Sequence, residues 1–120
     1  MGEGAASGTP KLFPGAGSIV VAYLREPREK VWGALLGLDA AGVWLRGIEL
    51  ASFEDWMRQE ASDSQGAMGL STFFVPFLRV EKLVVDEDLP GVPSLSGRYR
   101  SVTGRPAETC FGMEAGGAHD

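Results

Sequence analysis

The sequence contains no asparagine, one histidine and one cysteine among its 120 residues. A single cysteine, Cys110, excludes an internal disulfide, so we expect a protein of the reducing cytoplasm. The histidine, His119, lies in the glycine-rich segment at the end of the sequence. Ser–His or Cys–His catalysis needs a histidine held against a nucleophile, and this position does not favour such an arrangement.

Motifs for metals and cofactors are also lacking. No spacing of Cys, His and carboxylate side chains is typical of a metal site. The acidic run at 86–88 is expected to be a solvated strand end, and the N-terminal glycines lack the Lys-Ser/Thr of a phosphate loop. We therefore expect no catalytic residue, no metal and no cofactor, and hence no enzyme.

Long apolar runs and an excess of positive charge are lacking as well. The longest apolar stretch, SIVVAYL, is far too short to span a bilayer, and no basic start followed by an apolar stretch suggests a secretory signal. The net charge is −5, and residues 18–90 hold seven Lys/Arg against twelve Asp/Glu. We therefore expect no membrane and no DNA partner, while a local basic face remains open.

The composition is that of one globular domain with tails, with 44% hydrophobic and 22% charged residues. Residues 1–17 are rich in Gly, Ala, Ser and Pro and are expected to form a disordered tail. Residues 18–90 form the predicted folded body. Residues 91–120 form a C-terminal extension, with a short helix at 94–103 and disorder beyond it.

Five strands are predicted in the folded body. Their segments are 18–25, 30–38, 42–50, LSTFFVPF and RVEKLVVDED. Asp39 and Gly42 suit a type I turn followed by a left-handed residue between the second and third strands. Pro76 is expected on a sheet edge or at a sharp bend.

Two segments have helical periodicity. The first, at 52–61, is predicted to be capped by Ser52 with Asp55. Its apolar face consists of Phe53, Trp56 and Met57. The second, at 94–103, is predicted to begin at Ser94 and to end at Gly104. Its shared apolar face consists of Leu95, Tyr99 and Val102.

Glycines interrupt the best predicted strands at positions 33, 37 and 47. A small barrel closes only if its strands bend strongly, and glycine permits such bends. We therefore interpret these glycines as bend points in a small, strongly bent five-stranded barrel with one inserted helix. In the alternative interpretation, the strands are shorter and the glycines mark loops.

The segment VVAYLREPREKVWGALLGLDAAGVWLRG resembles the first signature of the Sm-like (LSm) superfamily. The matching positions are Gly33, Asp39, Val43, Leu45 and Arg46. FFVPFLRVEKLVV is similar to the second signature, two strands joined by one tight helical turn. The resemblance spans residues 18–88, interrupted by the helix and loop at 52–70, and implies an Sm-like or SH3-like barrel.

The sequence departs from the superfamily at the RNA-binding positions. The base-contacting Asn that often follows the Asp has no equivalent, and the Arg-Gly of the second signature is missing. FLR stands where the bacterial branch carries Tyr-Lys-His. An RNA-binding Sm-type ring is therefore the alternative function, and its candidate RNA contacts are Arg25, Arg46 and Arg79.

The third strand is apolar on both faces, since Trp44 and Ile48 alternate with Val43 and Leu45. Such a strand needs a cover on its outer face, either the helix or another subunit. The resemblance implies rings joined through strand edges. We therefore predict a self-assembling interaction module that forms a homo-oligomer. The candidate interface residues are Phe74, Phe77 and Val84.

Overall fold

The computed structural model describes residues 15–62 and 69–112. The strands are β1 (Ile19–Leu24), β2 (Glu29–Leu38), β3 (Gly42–Glu49), β4 (Ser71–Pro76) and β5 (Val80–Val85). The α-helices are α1 (Leu50–Ala61), α2 (Leu95–Thr103) and α3 (Ala107–Cys110), and a single 3₁₀ turn, Phe77–Arg79, joins β4 to β5. Most of the expected N-terminal tail, residues 63–68 of the predicted loop, and His119 lie outside the described residues.

The five strands form one antiparallel sheet in the order β4–β3–β2–β1–β5. The protein is therefore mainly β with a few helices, as the sequence predicts. Among the described residues, strand pairing does not close the sheet into a barrel, because β4 and β5 each have a single neighbouring strand there. Pro76 ends the edge strand β4, where its missing N–H breaks no ladder bond inside the sheet.

Gly33 and Gly47 lie directly opposite each other on β2 and β3. A Cβ on Gly33 would lie 2.5 Å from the Arg46 carbonyl oxygen and 2.8 Å from the Gly47 Cα. A Cβ on Gly47 would meet the Trp32 carbonyl oxygen. The two strands therefore approach each other more closely here than side chains allow.

Gly37 and Gly42 have other roles. The β2–β3 register shifts between Leu35 and Gly37, and a Cβ on Gly37 would meet nothing within 4 Å, so Gly37 lies at an uncrowded bulge. The predicted left-handed conformation of Gly42 is wrong, because Gly42 is not among the residues with positive φ. A Cβ there would instead meet the Val75 carbonyl oxygen and the Phe74 ring of β4.

The sheet separates two apolar clusters. One cluster, from strands alone, consists of Val20, Ala22, Leu24, Val31, Leu35, Val43, Leu45 and Val75. The other lies beneath the helices and consists of Ile19, Trp32, Ala34, Phe53, Trp56, Met57, Tyr99, Ala107 and Phe111. We call the face that carries Trp32 the helix-covered face. Both faces of the sheet are therefore apolar at its centre, as the third strand indicates.

Helix α1 begins at Leu50, two residues before the predicted start. Glu49 stands at its N-cap without a side-chain cap bond, so the predicted Ser52–Asp55 cap is wrong. The predicted apolar face is confirmed, since its three members are at most 2% exposed. Trp32 contacts two of them, with ring centroids 5.0 Å from Phe53 and 5.6 Å from Trp56.

Helix α2 begins after Ser94, whose hydroxyl accepts a hydrogen bond from the Gly97 N–H at 2.8 Å, and ends at Gly104 with φ 79°. Its start and end match the sequence prediction. Tyr99 is fully buried, but Val102 is 45% exposed and does not share its buried face.

Residues 105–112 were expected to be disordered, but they contain α3. The ring centroid of Phe111, directly after α3, lies 4.9 Å from that of Trp32. Ala107 is also buried in the cluster beneath the helices. This part of the C-terminal extension is therefore an integral part of the core.

Candidate interaction surface

The three helices leave one end of the helix-covered face open. Ile48 packs against the cluster beneath the helices, whereas Trp44, four residues earlier on the same face of β3, is 44% exposed. Trp44 pairs across the strands with the half-buried Phe74, and their ring centroids are 5.2 Å apart. The helices thus supply only part of the cover that β3 needs.

The predicted interface residues lie at two different edges of the sheet. Phe74 belongs to the edge strand β4, and Phe77 begins the 3₁₀ turn directly after it with 43% of its surface exposed. Leu78 beside it is 85% exposed. Val84, 40% exposed, belongs to the other edge strand, β5. The structure brings Phe74 and Phe77 to one edge and separates Val84 from them in the strand order.

Two of the predicted RNA contacts, Arg25 and Arg79, lie together at the β1–β2 turn. Arg79 donates from Nε to the Arg25 carbonyl at 3.0 Å and from Nη2 to the Pro27 carbonyl at 2.8 Å. Arg25 Nε donates to the Leu78 carbonyl at 3.0 Å, and Arg79 also faces Glu29 at 3.7 Å. These hydrogen bonds hold the β1–β2 turn against the 3₁₀ turn, so Arg25 and Arg79 both have a structural role.

Arg46 does not join this pair. It lies on the helix-covered face of β3, and its Nη1 donates to the Thr72 hydroxyl at 3.0 Å. The three predicted RNA contacts therefore do not form one basic surface within the fold.

Sequence reasoning missed a basic row at the other end of the helix-covered face. Tyr23 of β1 pairs with Lys30 of β2 on one side and with Lys82 of β5 on the other. The two ammonium groups lie 5.2 Å and 4.8 Å from the centre of the tyrosine ring. Strand alternation was a usable signal for Tyr23 and Lys30, but the pairing of β1 with β5 is not visible in the sequence.

Asp86, directly after β5, is hydrogen-bonded to the start of α2, and it is therefore not a solvated strand end. Its Oδ2 accepts hydrogen bonds from Trp32 Nε1 at 2.9 Å, from Ser96 N at 2.8 Å and from Ser96 Oγ at 2.7 Å. Its Oδ1 accepts from Leu95 N at 2.9 Å. A single carboxylate thus satisfies two N-terminal amides of α2 and the indole of the buried Trp32.

Asp88 has a similar role at the N-cap residue of α2. Its Oδ1 accepts from Ser94 N at 2.8 Å. Hydrogen bonds from the backbone and side chain of Ser94 lower the pKa of the Asp88 carboxyl, because they favour its charged form. Glu87 between the two aspartates is exposed.

Cys110 is not suited to nucleophilic chemistry. Burial, reinforced by the charge of Glu60, raises the pKa of its thiol to about 12, so the thiolate does not form at neutral pH. No group of three or more His, Cys, Asp or Glu within residues 15–62 and 69–112 is placed to hold a metal ion. No helix in the same ranges is long and apolar enough to cross a membrane.

Comparison with family models, with curated proteins and with solved structures finds no match in any of the three. A function for this chain therefore has to be inferred from its own surface: two open sheet edges, an exposed aromatic pair and a row of one tyrosine and two lysines.

Proposed function

We propose that this chain is a non-enzymatic interaction module whose copies self-associate through the edges of the sheet. The observation that carries the proposal is the pair of open edge strands, each accompanied by exposed large apolar side chains. An open edge presents unpaired N–H and C=O groups, which another strand can satisfy. Exposed apolar groups beside such an edge favour a protein partner over water.

The scaffold supports the same proposal. Two features agree with what the resemblance to the Sm-like superfamily implies: the single 3₁₀ turn between β4 and β5, and a glycine, Gly33, at the matching position of β2. We extend the proposal to an Sm-like or SH3-like scaffold, in which the sheet is strongly bent. Sm-like proteins join into rings through these two edges.

The edges also indicate how far pairing extends. Pro76 has no N–H to donate, so pairing along β4 is confined to Ser71–Val75. On β5, the register against β1 shifts between Tyr23 and Leu24, which leaves Lys82–Val85 as the regular part of that edge. Four or five residues of strand on each side are enough for a short ladder, but the apolar side chains must supply most of the affinity.

Self-association is tested by sedimentation velocity and light scattering at tens of micromolar protein. We expect a defined oligomer, and we expect Phe77→Asp to shift it toward monomer, because the exposed ring would be replaced by a charge in the contact. Val102→Asp is the matched control, since Val102 has similar exposure but lies on α2. A monomeric wild-type protein at these concentrations would refute the proposal.

RNA binding is the second candidate function, and the basic row of Tyr23, Lys30 and Lys82 favours it. Two ammonium groups held over one tyrosine ring concentrate positive charge that attracts a phosphate backbone. Arg25 and Arg79, in contrast, are engaged by the turn. The acidic body opposes nucleic-acid binding overall, so we place this function second.

The two functions are separated by titrating labelled U-rich and A-rich oligomers at low and at physiological salt. We expect binding weaker than about 1 µM at physiological salt, because few phosphates can be neutralised. Tighter binding that Lys82→Gln abolishes, and that Arg58→Gln on α1 leaves unchanged, would make RNA binding the principal function. Arg46→Ala and Arg79→Ala test the contacts predicted from the sequence in the same assay.

A further inference from the structure

A short apolar hairpin follows the β5 edge. Leu89 and Val92 exchange two backbone hydrogen bonds of 2.9 Å, and Gly91 at the turn has φ 75°. Both side chains are well exposed, Leu89 at 56% and Val92 at 58%. Two large apolar side chains therefore stand side by side on a two-residue turn, in contact with solvent.

The hairpin is held firmly at its base. Asp86 accepts four hydrogen bonds from Trp32 and the start of α2, and Asp88 accepts one from Ser94. Glu87 and Asp88 are both exposed beside the hairpin, and Asp88 is the one that Ser94 engages. The hairpin thus presents an apolar tip above an acidic base, Asp86–Asp88, in a fixed position relative to the helices.

The opposite edge of the sheet carries a surface of complementary character. Trp44, 44% exposed, and the half-buried Phe74 form an aromatic pair, and Leu36, 41% exposed, follows Leu35 at the bulge of β2. Arg46 and Thr72 are the next cross-strand pair on the same face, so a positive charge lies beside the aromatic pair.

We propose that the Leu89–Val92 hairpin of one copy packs on the Trp44–Phe74 pair of a second copy, with Glu87 facing Arg46. This inference rests on the proposed self-association and assigns its contact residues. The contact removes the apolar side chains of both copies from water, and opposite charges meet at its rim. Contact between two hairpins would instead bring Glu87 against Glu87.

The contact is heterologous, because the two surfaces lie at opposite edges of the sheet and so do not form one patch that a two-fold axis could pair with itself. Each copy therefore has one donor surface and one acceptor surface, which builds a ring or an open chain of copies rather than a two-fold dimer. We expect the assembly to contain more than two copies.

A charge exchange between variants tests the pairing. Glu87→Arg alone and Arg46→Glu alone should each raise the concentration for half-association about fivefold, because an attraction becomes a repulsion. An equimolar mixture of the two variants should regain wild-type association, since each variant then supplies the charge that the other lacks. The same restoration is expected in the double variant.

A second pair of variants tests the apolar contact. Leu89→Asp should weaken association at least about tenfold, because it places a charge in an apolar contact. Val102→Asp, with similar exposure on α2, should leave association unchanged. Circular dichroism melting curves confirm that each variant is folded before its association is compared.

The outcomes separate this inference from the proposed function. A monomeric wild type overturns both. An oligomeric wild type whose association is unaffected by Leu89→Asp, or whose charge variants do not rescue each other in the mixture, overturns the hairpin contact and leaves self-association through the edges standing.

Discussion

At the scale of single residues, the close crossing of β2 and β3 requires that Gly33 and Gly47 have no side chain. Each glycine lies against the backbone of the other strand, at distances that no real Cβ tolerates. Because the obstacle is backbone rather than a flexible side chain, no rotamer change can relieve it. The crossing therefore depends on two residues that contribute no side chain to the core.

We predict that Gly47→Ala lowers the free energy of unfolding by about 3 kcal/mol, because β2 and β3 must move apart to accommodate the methyl group. Gly37→Ala is the matched control in the same hairpin. A Cβ at Gly37 meets nothing within 4 Å and its φ is not positive, so we expect a change between zero and a stabilisation of about 1 kcal/mol. Urea unfolding measures both. Equal effects of the two substitutions would show that crowding is not the reason for glycine at position 47.

Asp86 is the second residue on which the fold depends strongly. We predict that Asp86→Ala lowers the free energy of unfolding by about 2–3 kcal/mol, since the Trp32 indole and the first amides of α2 lose a charged acceptor. Glu87→Ala, one residue away and exposed, should change the stability of the dissociated chain, measured at a concentration below that for half-association, by less than about 0.5 kcal/mol. Thermal melts at pH 7 provide the measurement, and a neutral effect of Asp86→Ala would contradict this role.

At the scale of elements, α1 contributes three buried side chains, Phe53, Trp56 and Met57, to the cluster beneath the helices. Trp56 is 2% exposed, contacts Trp32, and stacks on Tyr99 with ring centroids 5.4 Å apart. A helix of twelve residues is marginal in isolation, so its stability depends on this burial. Trp56 also connects α1 to α2, and so joins the inserted helix to the C-terminal extension.

We predict that Trp56→Ala lowers the free energy of unfolding by about 3–5 kcal/mol, because it leaves a cavity between Trp32 and Tyr99. Trp44→Ala removes the same side chain from an exposed position and should cost about 1 kcal/mol. Denaturant curves with equal slopes for both variants allow the comparison. Similar losses for the two tryptophans would mean that α1 is not anchored through Trp56.

The elements differ in how far local sequence predicts them. The spacing of Phe53, Trp56 and Met57 reveals the buried face of α1, because helical periodicity is a local property. Helix α3 spans only Ala107–Cys110, which is too short for any periodicity, and it is fixed by Phe111 packing against the distant Trp32.

The candidate surface is non-local in the same way. The apolar alternation along β3 predicts that Trp44 needs a cover, but whether α1 reaches it depends on packing. The bonds of Asp86 and the row around Tyr23 depend on β5 lying beside β1, which no nearby residue signals.

At the scale of the whole molecule, acidic and basic groups are unevenly placed. Lys30 and Lys82 lie together at one end of the helix-covered face, and Arg25 and Arg79 lie together at the β1–β2 turn. The acidic run at 86–88 follows the opposite end of β5. Such an uneven charge distribution favours contact between unlike surfaces of two copies over contact between like surfaces.

We predict that the melting temperature of the wild-type protein rises with concentration, because association stabilises the folded chain by mass action. A tenfold increase in concentration should raise it by about 5 °C for a domain of this size. The Phe77→Asp variant should melt at a temperature independent of concentration. Differential scanning calorimetry over two decades of concentration makes the measurement, and a flat wild-type response would contradict self-association.

The position of β5 beside β1 also governs how quickly the chain reaches its native state. The β2–β3 hairpin joins neighbouring segments, whereas the β1–β5 ladder must close a loop that contains the other three strands and α1. Closing a long loop carries an entropic cost before its contacts form, and such topologies fold slowly. Until β5 docks, β1 is itself an open edge. During synthesis, the nascent chain therefore exposes a temporary pairing site that disappears once the last strand has left the ribosome.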